Sequence, residues 1–276
     1  MSVFFESVRL VYFSPTKTTQ KILEGIAQGT EVGKVERLDL TPPEAITLDL
    51  DEMQDELVLL GVPVYGGRVP LEAVPKLQRL KANRIPAVII VMYGNREFED
   101  ALLELKDLAQ ESGFVPVAGG AFIGEHSFAN DTTPIANGRP DAEDLKKARE
   151  FGLQIRGKMR DLESIDEVSQ LEVPGNRPYK KRRKPAEISP STQEDPCTLC
   201  KTCASLCPVA AITVEDTVET DKLACILCCA CVKNCPTGAR VVEEPTLKKM
   251  AEWLSTNCQT RKEPEIFVYD AFPQPF

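Results

Sequence analysis

Short apolar runs alternate with amphipathic stretches along the first 162 residues of the chain. Apolar runs at 8–13, 35–40, 57–64, 87–93 and 114–123 predict five strands, and the runs 58–60 and 88–91 are apolar on both faces, as buried parallel strands require. Between them, stretches near 18–28, 71–81, 98–111 and 141–162 predict helices. The alternation predicts an α/β fold with a doubly wound parallel five-stranded sheet.

The composition is that of an ordinary water-soluble chain. Of 276 residues, 42% are hydrophobic and 27% are charged, with a net charge of −9. No apolar run approaches the roughly 20 residues that span a bilayer, and residues 1–10 lack the basic start and long apolar core of a secretory signal. We therefore expect a cytoplasmic protein without membrane insertion, in a compartment that keeps thiols reduced.

Cysteine recurs in one spacing at two places, 28 residues apart. The pattern C-x2-C-x2-C-x3-C-P is one by which bacterial proteins hold iron–sulfur clusters. A disulfide framework is disfavoured because no secretory signal precedes it, and zinc sites usually use cysteine pairs and often histidine, whereas His126 is the only histidine in the sequence. The two runs, followed by Pro208 and Pro236, are Cys197, Cys200, Cys203 and Cys207, and then Cys225, Cys228, Cys231 and Cys235.

The spacing also predicts how the ligands are shared, because three close cysteines hold one cluster and the fourth reaches the other. Cys229 is out of register, and we expect it and Cys258 to be buried or partly buried thiols. Residues 196–244 resemble bacterial two-cluster ferredoxins, which implies a small α+β ferredoxin-like domain with two [4Fe-4S] clusters. The predicted ligands are Cys197, Cys200, Cys203 and Cys235 for cluster one, and Cys225, Cys228, Cys231 and Cys207 for cluster two.

Three loops follow predicted strands and should meet at one edge of the sheet, where ligands bind in this class. The first opens a helix, so its hydroxyls and N–H groups suit a phosphate monoester, although an ordinary Ser/Thr helix cap is the alternative. The glycines of the other two would let a flat ring approach, although each loop could be a tight turn beside a core tyrosine. The candidate residues are Ser14, Thr16, Lys17, Thr18 and Thr19; Pro63, Val64, Tyr65, Gly66 and Gly67; and Tyr93, Gly94, Asn95 and Arg96.

Residues 5–162 resemble the flavodoxin family. Ser14, Thr16 and Thr19 match its phosphate loop, while Lys17 stands where glycine is usual. The resemblance implies FMN, with its phosphate on the first loop, its isoalloxazine between the other two, and Tyr65 and Tyr93 stacked on the ring or at its edge. The chain as a whole resembles the fused flavodoxin/ferredoxin proteins of anaerobic bacteria and archaea.

Four parts are predicted: a flavodoxin-like domain at 1–162, a linker at 163–195, the iron–sulfur domain at 196–244, and a C-terminal helix and tail at 245–276. The linker carries five consecutive basic residues, 180–184. We interpret it as a solvated segment lying on its own acidic domain, with docking of an acidic redox partner as the alternative. Nucleic-acid binding is not expected, because the rest of the chain is acidic.

These features predict a low-potential electron-transfer protein that relays electrons between FMN, two clusters and an external oxidoreductase, with redox proteins as partners. The alternative is a flavin-dependent reductase acting on nicotinamide or a small substrate, with the clusters as electron feed, and a third hypothesis is a redox sensor or assembly protein. The sequence has no G-x-G-x-x-G motif for a second dinucleotide domain. His126 follows the fifth strand and could face the flavin, but a structural role is the stronger expectation.

Overall fold

Five parallel strands form the centre of the molecule in the computed structural model, which describes residues 5–50, 52–54, 56–182 and 187–269. Their order across the sheet is β2-β1-β3-β4-β5, all parallel. This is the flavodoxin-like order of doubly wound folds, so the predicted α/β class is confirmed. The strands are β1 (Ser7–Tyr12), β2 (Lys34–Asp39), β3 (Glu56–Pro63), β4 (Ile85–Tyr93) and β5 (Phe114–Ile123).

Helices cover both faces of this sheet. On one face, α1 (Thr18–Gly29) and α4 (Ala142–Arg160) bury Ile22 and Phe151 against the strands. On the other lie α2 (Val74–Leu77) and α3 (Ala101–Glu111). The prediction of a helix over 71–81 was wrong in length. Only one turn forms, and Pro75 within it has no N–H to donate.

Glycine lets α1 and α4 approach closely. A Cβ at Gly152 of α4 would fall 2.1 Å from the carbonyl oxygen of Ile26 in α1. Gly157, one and a half turns further along α4, is exposed and has no atom near enough to meet a Cβ. The backbone contact at Gly152 therefore sets the spacing of the two helices.

A smaller module follows, and its backbone repeats with the same 28-residue period as its cysteines. Left-handed residues at Leu199, Lys201 and Ala210 recur at Leu227, Cys229 and Gly238. Strand β6 pairs with β9, and β7 with β8, both antiparallel. The elements are β6 (Ser191–Thr192), α5 (Thr202–Ser205), β7 (Ile212–Val214), β8 (Val218–Thr220), α6 (Ala230–Lys233) and β9 (Arg240–Val241).

The C-terminal segment returns to the large sheet. Helix α7 (Pro245–Asn257) packs Leu254 against Ala129 and Ile135, as expected of a helix that covers one of the domains. Strand β10 (Glu265–Val268) then pairs antiparallel with β5. The sheet therefore has six strands, and the prediction of five missed the last one. Without β10, the outer edge of β5 would carry unpaired N–H and C=O groups.

The predicted linker is packed against the large domain. Leu171 lies in the core, which the expectation of a solvated segment did not include. Lys180 pairs with Glu99, and Arg182 pairs with Glu104 at 2.7 Å. These two cations therefore lie on acidic groups of their own domain, as interpreted from the sequence. Lys181 is exposed, and Arg183 and Lys184, the last two residues of the basic run, are outside the described residues.

Among the helices of the described ranges, none combines the length and the apolar character needed to cross a membrane.

Candidate functional site

The first loop joins β1 to α1 at the carboxyl edge of the sheet. Ser14 accepts a hydrogen bond from the N–H of Gln20 at 3.2 Å, and its own N–H donates to the Thr41 hydroxyl at 2.8 Å. Ser14 thus stabilises the helix start, as the capping alternative supposed. Lys17, which stands where the predicted phosphate-loop pattern has glycine, has φ of +63°, the left-handed conformation that favours glycine.

Thr19 differs from Ser14 in that its side chain is fully buried and its hydroxyl has no hydrogen-bond partner. An unpaired buried hydroxyl costs free energy unless a ligand satisfies it. Thr18 and Thr19 are also the first residues of α1, where N–H groups lack acceptors within the helix. The residues of this loop therefore fit a bound phosphate.

The second loop follows β3 and turns at two left-handed glycines, Gly66 and Gly67. Arg68 exchanges backbone hydrogen bonds with Tyr65 across the turn. A Cβ at Gly66 would meet no atom, whereas one at Gly67 would collide with Glu99. The open side of this loop is at Gly66, where a ring could approach. Pro63 and Val64 precede the turn, and the N–H of Val64 donates to Met92.

The third loop, after β4, is occupied largely by its own chain. Tyr93 is buried and packs on Phe98, with ring centroids 5.5 Å apart. Asn95 donates to the carbonyl oxygens of Cys258 and Thr260 at 2.7 and 2.9 Å. Arg96 pairs with Glu99. Tyr93 therefore has the core environment of the tight-turn alternative, and its predicted flavin contact, like that of Asn95, stays a prediction.

His126 lies beside this loop. Its ring is so close to Gly94 that a Cβ there would fall 2.3 Å from Cδ2 of the imidazole. The N–H of Phe128 donates to Nδ1 at 3.1 Å, which leaves Nε2 as the donor of the neutral ring. Burial, and then the positive charges of Lys233 and Arg96, lower the pKa of His126 to about 4. The imidazole is therefore neutral near pH 7.

The eight repeated cysteines line two separate cavities, and in each the fourth cysteine comes from the other run. One, which we call site one, is lined by Cys197, Cys200, Cys203 and Cys235. The other, site two, is lined by Cys225, Cys228, Cys231 and Cys207, with Cys229 at its wall. These are the two predicted sets, and four thiols around one cavity are the donor set of a [4Fe-4S] cluster. Within the described ranges, no group of three or more His, Cys, Asp or Glu is placed to hold a single metal ion.

The two sites differ in burial. Site one includes Cys200, which is exposed, whereas three cysteines of site two are buried. Burial raises the pKa of Cys228 to about 12, so its thiol holds a proton until a metal displaces it. Cys229 is 1% exposed, in line with the expected buried thiol, and Cys258 is partly buried.

Site two faces the large domain. Lys233, which ends α6, donates to the Glu125 carboxylate at 2.5 Å and to the carbonyl oxygen of Ala129 at 2.6 Å, both in the loop after β5. Ile226, also at site two, packs on the core of the large domain. Burial, and then the nearby ionisable thiols of Cys228 and Cys229, raise the pKa of Tyr65 well above its usual value. The second loop of the sheet and the second cysteine run are therefore neighbours, a contact that nothing in the sequence signals.

Arg240 is a further residue that the sequence analysis did not single out. It is buried and lines both cysteine cavities. The signal that could have found it is the repeat itself, because the position 28 residues earlier is Ile212.

No family model matches the chain, and no curated protein is significantly similar to it. Among solved structures, it is similar to a flavodoxin from the domain Archaea (15% identity, 55% of this chain, 98% of that chain, TM-score 0.38). It is also similar to flavodoxin 2 from Bacillus cereus (17% identity, 55% of this chain, 99% of that chain, TM-score 0.42). A third similar structure is rubredoxin oxygen:oxidoreductase from Desulfovibrio gigas (13% identity, 56% of this chain, 36% of that chain, TM-score 0.38). Similarity at this level says nothing of the activity of this chain, and the fold assignment rests on the strand order.

Proposed function

We propose that the protein is a cytoplasmic electron-transfer protein that carries FMN at the carboxyl edge of the sheet and a [4Fe-4S] cluster at each cysteine site. FMN supplies one- or two-electron chemistry and the clusters supply low-potential electron transfer. The phosphate would lie on the first loop, at Thr16, Thr18 and Thr19, and the ring near Tyr65 and Gly66. An external redox protein would exchange electrons with this unit.

The observation that carries the proposal is the contact between site two and the loops of the sheet. Ile226 packs on the core of the large domain, and Lys233 bonds to the loop after β5. Tyr65, in the predicted flavin loop, is close enough to the thiols of Cys228 and Cys229 for them to raise its pKa. A flavin beside Tyr65 would therefore have site two as its nearest cluster.

Burial supports an order for the three cofactors. Site two lies against the sheet and is enclosed, whereas Cys200 of site one is exposed to solvent. Electrons would pass between flavin and site two, then between site two and site one, and leave or enter at Cys200. The chain's own part is to hold the cofactors close together and to exclude water from site two.

Anaerobic reconstitution tests the proposal. Iron, sulfide and flavin are quantified after removal of the unbound cofactors, and the visible spectrum is followed during stepwise reduction. We expect two [4Fe-4S] clusters and one FMN per chain, with electrons from photoreduced flavin appearing in the clusters within one molecule. Protein that retains zinc and no sulfide, or that binds no flavin, would contradict it.

A second assay separates the carrier from the reductase. The reconstituted protein is mixed with NADH or NADPH and the nucleotide absorbance is followed. A carrier leaves both nucleotides unchanged unless a partner reductase is added. Rapid oxidation of either nucleotide by the protein alone would favour the flavin-dependent reductase.

A further inference from the structure

Arg240 breaks the internal repeat at a buried position. The 28-residue period places it at the position that Ile212 holds in the first half, and both follow alanine. Ile212 is an apolar residue in the small core of the module. Arg240 is 3% exposed, so the second half has a guanidinium where the first has a hydrocarbon side chain. A buried charge is unfavourable unless partners satisfy it.

The neighbours of Arg240 satisfy it only in part. One terminal nitrogen, Nη1, donates to the Thr192 hydroxyl at 2.7 Å, and the other, Nη2, donates to the Thr220 hydroxyl at 3.1 Å. Nη2 also lies 3.7 Å from Sγ of Cys231. Arg240 forms no ion pair with a carboxylate among the described residues. Its formal positive charge is therefore left to be balanced by the surrounding cysteines once they are ionised as cluster ligands.

The third nitrogen gives the second observation. Nε of Arg240 is buried and has no hydrogen-bond partner, and it belongs to a side chain that lines both cysteine cavities. Buried N–H groups normally have a hydrogen-bond acceptor. A sulfur of a cluster bound beside Arg240 would provide that acceptor for Nε.

We propose that Arg240 raises the reduction potentials of both clusters, by its charge between them and by N–H bonds to the sulfurs of site two. The inference rests on the proposed function, because it requires the clusters. Reduction adds one electron and no proton, so a cluster becomes more negative by one charge. A fixed cation in a low-dielectric interior stabilises that added charge more than a solvated cation does.

The test compares substitutions that separate charge, hydrogen bonding and packing. Arg240→Met keeps length and removes the charge, Arg240→Lys keeps the charge and loses the planar group, and Arg240→Ile restores the residue of the first half. Lys222→Met is the matched control, since it removes an exposed cation from the same module. The readout is the midpoint potential of each cluster from a dithionite titration followed by low-temperature electron paramagnetic resonance, with iron and sulfide counts on every variant.

In Arg240→Met and Arg240→Ile, we expect both potentials to fall. The larger fall should be at site two, where the reduced-to-oxidised ratio at a fixed potential drops about tenfold, or about 59 mV for one electron. The potentials should fall less in Arg240→Lys, and they should not change in Lys222→Met. A purely structural Arg240 would lower the melting temperature of the variants and leave the potentials of the assembled clusters where they were, which would overturn the inference.

If the Arg240 variants do not assemble their clusters, a measurement on the unaltered protein tests the inference instead. Arg240 is the only arginine in residues 187–244. In protein grown with ¹⁵N-arginine, the reduced clusters should show a weak nitrogen coupling from the guanidinium in pulsed paramagnetic resonance. Absence of that coupling in protein with full clusters would overturn the inference alone. Absence of iron and sulfide from the unaltered protein would overturn the proposed function and this inference together.

Discussion

Thr19 carries the most specific expectation about a single side chain. Its hydroxyl is buried without a partner, while its methyl group packs where a Cβ on Gly61 would come within 2.7 Å. Thr19→Val removes the hydroxyl and keeps the shape. If the FMN phosphate accepts this hydrogen bond, the variant should bind FMN more weakly by about 1.5–3 kcal/mol, or roughly ten- to hundredfold.

Isothermal titration of the flavin-free protein with FMN measures this change. Thr19→Ser, which keeps the hydroxyl, is the control and should bind within a few-fold of the unaltered protein. Equal affinity of the Val and Ser variants would show that the hydroxyl contacts no phosphate.

His126 permits a direct measurement because it is the only histidine. Its pKa is lowered from 6.5 to about 4, by burial first and then by Lys233 and Arg96. The unfolded chain binds this proton more tightly than the folded chain between those two values. The contribution of His126 to stability is thus fully present above pH 6.5 and is lost as the pH falls towards 4.

Nuclear magnetic resonance of protein labelled with ¹⁵N-histidine should show one imidazole that stays neutral down to about pH 5. A midpoint near 6.5 would mean that the ring is solvated and does not pack on Gly94.

Some of these residues could be found from the sequence and others could not. The eight cysteines and Thr19 stand in local patterns whose spacing predicts a cofactor site. Arg240 stands in no motif, and it becomes visible only when the two halves of the repeat are aligned with each other. The contact of Lys233 with Glu125 joins residues 108 positions apart, and no local pattern encodes it.

At the scale of elements, the contact between α1 and α4 can be tested with a pair of glycine-to-alanine variants in α4. Gly152→Ala should place its methyl carbon 2.1 Å from the carbonyl oxygen of Ile26 and force the helices apart. Such overpacking costs about 1–3 kcal/mol. Gly157→Ala, in the same helix with open space around it, should instead stabilise by up to about 1 kcal/mol, because alanine is the better helix former.

Thermal denaturation of both variants, followed by far-ultraviolet circular dichroism, measures the difference. We expect a lower melting temperature for Gly152→Ala and an equal or higher one for Gly157→Ala. Equal shifts in the two variants would indicate that helix spacing does not limit stability.

The central elements were predictable because buried parallel strands are apolar on both faces and their helices fall between them. The edge was not. Strand β10 has four residues, and its place beside β5 is decided by a free sheet edge that forms about 150 positions earlier in the chain. The short α2 shows the same limit, because its apolar pattern continues beyond the one turn that forms.

At the scale of the whole molecule, the crossed cysteine sets make the two halves of the module depend on each other. Cys207 lines the cavity of the second run, and Cys235 lines that of the first. If each set holds a cluster, Cys207→Ala should perturb the same reduced-state paramagnetic signal as Cys225→Ala, and Cys235→Ala should group with Cys197→Ala.

Low-temperature electron paramagnetic resonance and iron counts on the four variants measure this grouping. Cys229→Ala is the control and should keep both signals, because its left-handed position corresponds to Lys201 of the first half. Grouping of Cys207 with Cys197, or loss of a cluster in Cys229→Ala, would contradict the assignment.

Strand β10 has a consequence for how the chain can be divided. The module between 187 and 244 enters from a segment packed on α3 and leaves through α7 and β10, so both of its ends return to the same sheet. The module is therefore an insertion, and the chain on both sides of it packs on the large domain. One proteolytic nick would not release it, and a gene cut after residue 162 would encode a sheet that lacks its sixth strand.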